Sequence, residues 1–374
     1  MKNNSVIFFL NVFLSLFGLN FVIAQEFKNA TNYEHHSYIP GYGIKKLNNP
    51  EIFQGNRKKN EYFEGWYFKM VSDDKSSIIS IIPGISLSKK GGKQHAFIQI
   101  IDGKTANTFY YSYPIEAFTF SKKSFAISIG DNYFSQDSII IDIQNDTTSI
   151  QGTIYMSDQA YLTKKKKKLG IMGWYRFVPF MECYHGVVSL NHNLKGTLKK
   201  DNKKYNFNNG KGYIEKDWGK SMPTSWVWMQ SNNFSSEKTS FMLSVANVPW
   251  MGSSFNGFLG FFLHNNISYR FGTYTHSKLK METSNSDTIK ITITDKNNTY
   301  QIETYRSKSG FLKAPVKGSM DRRISESVDA ELNLTVLDKK GNVIFKDSTS
   351  IAGLETVGDI KSLTSSKKKN KSID

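Results

Sequence analysis

The sequence predicts an all-β protein made of two tandem antiparallel β-barrel or sandwich halves. Three observations lead there. Short apolar or alternating runs recur along the chain, with turn residues about every 8–12 positions. No long segment shows a 3.6-residue apolar period. Aromatic residues make up 14% of the chain, and with abundant Ile and Thr they favour sheet over helix.

The elements follow in order. Lys2 and the largely apolar stretch 6–23, ending in Val22-Ile23-Ala24, read as a secretory signal cleaved before Gln25. The rival is an uncleaved anchor, but Asn11 and Asn20 interrupt the stretch. Residues 25–57 are expected as an extended arm. Strand-like runs then occupy 76–82, 94–101, 109–113, 125–129, 139–143 and 150–156. A second set occupies 186–190, 226–230, 241–245, 258–263, 289–293, 300–305, 332–337 and 343–346. Gly341, within Asp338-Lys-Lys-Gly-Asn342, suits the positive φ of a hairpin turn. About sixteen strands exceed one small barrel. Two motifs, each setting an acid beside Gly and Trp, are expected to open the halves: Glu64-Gly-Trp66 and Glu215-Lys-Asp-Trp-Gly219. They set a first domain at 58–200 and a second at 201–361, with a basic tail at 362–374.

The net charge of +17 is concentrated. Five lysines at 164–168 carry +5 and the tail 361–374 carries +4, leaving +8 for the rest. Such runs are most often solvated loops; weak contact with a membrane surface is the minority reading. Arginine is scarce and no recognition-helix pattern is present, so nucleic acid is not an expected partner. Cys183 is the only cysteine, which excludes an internal disulfide and a cysteine zinc site. His35, His36, His264 and His276 lack partners at ligand spacing, so no metal is expected. Phosphate-binding glycine loops, HExxH and G-x-S-x-G are absent, which argues against nucleotide-dependent chemistry.

Two clusters carry the candidate chemistry. Gly173-Trp-Tyr-Arg-Phe-Val-Pro-Phe-Met-Glu-Cys-Tyr-His-Gly186 sets Arg176, Glu182 and His185 among aromatic rings, including Trp174 and Tyr175. That mixture suits either a deep apolar pocket with a few polar groups or a structural plug. The second cluster joins Glu215, Asp217 and Trp218 to Trp226-Val-Trp-Met-Gln230, with Trp228 at its centre. An acid beside an indole loses water and keeps its proton, and ring faces stabilise a developing cation. The bland alternative is a turn cap beside a barrel end. Glu64, next to Trp66 and Tyr67, has similar surroundings, and His95 sits in an alternating strand; either suits a cavity wall.

These same residues resemble the tocopherol cyclase family. The blocks are Tyr62-Phe-Glu-Gly-Trp-Tyr-Phe68, Gly173-Trp-Tyr with Phe180 to Gly186, and Glu215-Lys-Asp-Trp-Gly219 with Trp226-Val-Trp-Met-Gln230. Leu312-Lys-Ala-Pro315 and Ala352-Gly-Leu-Glu355 extend the resemblance over residues 38–360. It implies tandem lipocalin-like barrels. It also implies cofactor-independent isomerisation, in which a prenylated hydroquinone closes to a chromanol. An acid protonates a trisubstituted alkene, a tertiary cation develops, and the phenolic oxygen attacks it.

From residue chemistry, Asp217 is the expected proton donor, with Glu64 second. Glu182 and His185 form the base or orienting pair. Trp66, Trp174, Trp218 and Trp228 line the pocket, aided by Tyr67, His95, Tyr175 and Arg176, within a hollow scaffold. A secreted lipid-binding protein without catalysis is the alternative. An exported carbohydrate-binding sheet protein is the third reading.

Overall fold

The computed structural model describes residues 31–32, 38–145, 148–162, 170–179, 181–250, 253–283 and 288–364. The expected signal segment 1–24, the lysine run 164–168 and residues 365–374 of the basic tail lie outside them. Within the described residues the chain is all-β, in two antiparallel sheets of thirteen and ten strands. No helix among them is long and apolar enough to cross a membrane.

The first sheet begins at Thr31–Asn32 and includes every strand through Lys211–Gly219; the second runs from Trp226–Ser231 to Val343–Val357. Each sheet curls around its own core. Phe118 and Ile127, near one end of the first sheet's strand order, share a core with Ile98 and Ile100 near the other. Phe271 and Met281 close the second core in the same way. These are the lipocalin-like barrels expected from the sequence. Their interiors are packed with aliphatic and aromatic side chains, so the hollow expected within the scaffold is not inside either barrel.

The strands outnumber the expected sixteen, and several run much longer than expected. Cys183–Lys200 and Ser319–Asp338 span 18 and 20 residues. Both carry register shifts, after Val187 and Ser189 in one and after Ser327 and Ala330 in the other. A bulge breaks the alternation by which a strand is read from sequence.

Two expectations of organisation meet a different arrangement. The sheets divide between Gly219 and Trp226, beyond the boundary expected near residue 200. The strand Lys211–Gly219, expected to open the second half, lies in the first sheet between Cys183–Lys200 and Tyr62–Val71. Within the expected arm, residues 38–57 contain the helix Tyr42–Asn48 and insert Ile52 and Phe53 into the first core. Both side chains are about 1% exposed, and taking such apolar groups out of water favours docking the segment on the core.

A third apolar cluster joins the two barrels. It takes Tyr67, Tyr213 and Leu190 from the first sheet and Trp228, Phe261 and Ile351 from the second. Strands at this junction therefore bury both faces. A shared apolar interface of this kind couples the stability of its two sides. Calorimetry of the whole protein should show one unfolding transition, and a chain ending at Ser221 should fail to fold. Two separate heat-absorption peaks would show that the barrels fold independently.

Candidate functional site

The site lies between the barrels, not inside either one. Strand parity explains why. Along Lys211–Gly219, Ile214 and Trp218 pack on the first core, while Tyr213 joins the inter-barrel cluster. Glu215 and Asp217 share the parity of Tyr213 and line a cavity of about 180 Å³. Along Tyr62–Val71, Trp66 and Phe68 enter the first core, whereas Gly65 and Tyr67 reach the cavity. From the second barrel, Val227 and Met229 point into its core, and Trp226 and Trp228 face the cavity.

His185 and Asp217 stand directly opposite each other on paired strands. His185 Nδ1 lies 2.8 Å from Asp217 Oδ1, and its Nε2 lies 3.5 Å from Glu215 Oε2. Glu215 Oε2 accepts hydrogen bonds from the Tyr213 hydroxyl at 2.7 Å and Trp228 Nε1 at 3.2 Å. Burial works to lower the His185 pKa. The charges of Asp217 and Glu215, with the hydrogen bond to Asp217, outweigh it and lift the imidazole to about 9. Glu215 is raised to about 7: burial pushes it up first, His185 pulls it down, and Asp217 pushes it up again.

A second acidic pair adjoins this group. Glu355 lines the cavity and accepts from Trp226 Nε1 at 2.5 Å. Glu326 is its register partner on the adjacent strand. Glu326 Oε1 accepts from the Tyr67 hydroxyl at 2.6 Å, and its Oε2 is buried with no hydrogen-bond partner among the described residues. Burial raises both carboxyls far above the ordinary range. The Glu355 charge adds to the effect at Glu326, and Glu215 and Asp217 add to it at Glu355. Gly353 makes room for the neighbouring indole, since a Cβ there would sit 2.6 Å from Trp228 Cζ3.

Of the residues expected at the site, Asp217, Glu182, His185, Tyr67, Tyr175 and Trp228 line this cavity. Six others are placed elsewhere. Glu64 is fully buried in an ion pair with Lys216 on the opposite parity. It also accepts from Gln54 N at 2.8 Å, Gly55 N at 2.9 Å and the Tyr62 hydroxyl at 2.6 Å, so its carboxylate is saturated. Trp66 and Trp218 hold the Lys216 ammonium between them, 4.9 and 4.3 Å from their ring centroids. Among the described residues, His95 pairs with the Tyr110 hydroxyl at 2.5 Å and is not part of the cavity wall. Burial, with the charges of Lys93 and Lys313, holds its pKa down near 4. Arg176 lines a second cavity of about 120 Å³ beside Lys46, Gln54 and Trp218, which shares Met172 and His185 with the first. Trp174 is 54% exposed.

Sequence reasoning placed Glu215 and Trp226 in a candidate cluster without giving them a role, and did not assign Glu326, Glu355 or Tyr213 to the site. Parity with Asp217 and Trp228 was a usable signal for Glu215 and Trp226. The bulged strand around Glu326 left none. His185, Glu215 and Asp217 place donor atoms within 4.8 Å of one another, a spacing that a divalent cation can bridge. A proton shared among them balances the same charges, and His185 Nδ1 already engages Asp217.

A family model described as tocopherol cyclase-like matches residues 157–358. "Tocopherol cyclase, chloroplastic" of Zea mays is 23% identical over 229 residues, covering 52% of this chain and 43% of that protein. "Probable tocopherol cyclase, chloroplastic" of Oryza sativa subsp. japonica is 24% identical over 232 residues, covering 53% and 44%. The matched part thus spans less than half the length of these curated relatives. Among solved structures, CghA with Sch210972 aligns at 8% identity and a TM-score of 0.49, covering 80% of this chain and 89% of that one. Kievitone hydratase from Nectria haematococca aligns at 9% identity and 0.48, covering 79% and 89%.

Breaking a buried ion pair leaves an uncompensated charge. Glu64→Gln should therefore lower unfolding stability in urea by about 3–5 kcal/mol; a loss below about 1 kcal/mol would refute the saturated pair. The raised Glu326 pKa has the opposite pH signature from an ordinary surface acid. The stability it contributes is full below the ordinary glutamate value and is lost as pH rises through about 8. Glu355 and Glu215 act in the same direction. Between pH 5 and 9, Glu326→Gln should lose less melting temperature than the parent protein; equal losses would contradict its burial as an acid.

Proposed function

The chain belongs to the tocopherol cyclase-like family, and on that premise we propose that it closes a prenylated hydroquinone to a chromanol in the inter-barrel cavity. The observation that carries this reading is the convergence of His185, Asp217 and Glu215 on a cavity walled by Trp226, Trp228 and Tyr67. The ring closure needs an acid that is protonated near neutral pH, a dry aromatic wall and a group to take back one proton.

Glu215 is the proton donor. It lines the cavity, and burial raises its carboxyl to about 7, so it still holds a proton near neutral pH. Asp217, engaged with His185 Nδ1, serves as the anionic partner that orients and charges the imidazole. Glu215 delivers its proton to the less substituted alkene carbon, forming a C–H bond. The tertiary cation beside it faces the indoles of Trp226 and Trp228. The phenolic oxygen then forms the C–O bond and loses its proton to the Glu215 carboxylate, which resets the site. Atoms balance within the substrate, so the reaction is an isomerisation needing no oxidant.

The same apolar walls support a binding-only reading. Prenyl hydroquinone recovered unchanged from the protein after hours would select it. As part of the proposal, the apolar segment 6–23 directs export; a mature chain whose first residue is Gln25 is the expected result of N-terminal sequencing.

Incubation with a prenyl hydroquinone in D2O should yield a chromanol carrying one deuterium on the carbon next to the new C–O carbon. No chromanol from a range of such substrates would end the cyclase reading. Glu215→Gln should cut turnover by about 100-fold or more while the protein stays folded by circular dichroism. Turnover should be greatest below neutrality and fall as pH climbs through about 7, because the Glu215 carboxyl then loses its proton. A rate that rises across that range would assign the donor elsewhere.

A further inference from the structure

The inter-barrel cavity holds much less than a long prenyl phenol. Its volume of about 180 Å³ is close to that of an engineered cavity of roughly 150 Å³ that encloses one benzene ring. A hydroquinone ring and the isoprene that reacts with it occupy such a space. Further isoprene units must lie outside it. Leaving them in water forfeits the favourable transfer of each buried carbon.

An aromatic lip continues outward from the cavity wall. Tyr175 and Phe255 both line the cavity and meet edge to face, with centroids 6.3 Å apart. Trp174 stands edge-on to Tyr175 at 4.3 Å and is 54% exposed. Phe177, on the same short 3₁₀ turn, is 55% exposed. Trp250 is 40% exposed, and its Nε1 donates to Pro179 O at 3.2 Å, which ties its hairpin to that turn. Large rings exposed together at a cavity rim mark a surface that something apolar covers.

We propose that Trp174, Phe177 and Trp250 form a binding subsite for the aliphatic tail of a prenyl ligand whose reacting end fills the cavity. The subsite rests on the reading of the cavity as a prenyl-phenol site, and it adds chain length to what that site recognises. The tail leaves past Tyr175 and Phe255 and lies against the exposed rings. Its occupant is the ligand's own chain, not a membrane surface or a second copy of the protein.

The test uses unreactive prenyl alcohols of one to four isoprene units and measures binding by titration calorimetry. The expected result is about tenfold tighter binding for each added unit, an order-of-magnitude figure for partial burial of five carbons. In Trp174→Ala/Trp250→Ala this gradient should vanish, with every length binding about as weakly as the shortest. Trp174→Ala/Phe177→Ala repeats the test without removing the hydrogen bond to Pro179. A flat gradient in the parent protein, or an undiminished gradient in both variants, overturns the subsite. So does sedimentation with ligand-free phosphatidylcholine vesicles that both double variants abolish, which would make the lip a membrane contact. Chromanol formation with no dependence on chain length would sink the tail subsite alone. Length-dependent binding without any chromanol would sink the cyclase reading alone.

Discussion

Carboxyl groups shut between two apolar sheets cannot all be ionised. Glu215, Glu326, Glu355 and Asp217 meet at the junction of the barrels, and His185 and Lys69 are the bases beside them. Lys69 is itself fully buried, its pKa drawn down to about 7 chiefly by loss of water. With more acid than base and little water to screen the charges, Glu326 and Glu355 keep their protons at neutral pH and Glu215 stands near its midpoint. Acidity, anchoring of the indoles and the pH response of the fold all follow from that imbalance. Tyr213, Trp226 and Trp228 donate to carboxylate oxygens, and the same bonds hold the rings upright as cavity walls.

Neighbouring residues on one strand have opposite fates. Lys216 lies between Glu215 and Asp217 in sequence but projects into the first barrel. There it pairs with Glu64, donates to the carbonyls of Pro50 and Ile52, and sits between two indoles. Each polar atom of that group has a partner, so it holds the 38–57 segment in the barrel end. The inter-barrel face is under-supplied with partners: among the described residues Glu326 Oε2 has no hydrogen bond, and His185 Nε2 has none either, only Glu215 Oε2 at 3.5 Å. Saturation makes one set structural; shortage leaves the other free to exchange protons.

The tryptophans divide by the same rule. Trp66 and Trp218 carry the parity of the first core and Trp226 and Trp228 that of the interface, although all four stand in motifs of similar appearance. Pattern alone therefore pointed to Trp66, Trp218 and Trp228 alike as cavity walls. His95, also read as a wall residue, is taken up by Tyr110, whose ring stacks on Phe97 with centroids 5.5 Å apart.

Composition and alternation alone determined that this chain is all-β, antiparallel and divided into two barrels, because side-chain period is a local property of the strand. They also determined that Asp217, Glu182, His185 and Trp228 lie in acid–aromatic clusters, because those residues are close in sequence. Tertiary structure alone decided that the cavity sits between the barrels, that Glu326 and Glu355 join it, and that Glu64 does not. Those outcomes depend on which face of a doubly buried strand meets the other sheet. Both faces of such a strand carry aromatic and charged residues, so its pattern cannot say which one looks inward, and the bulges just after Glu326 break the alternation around it.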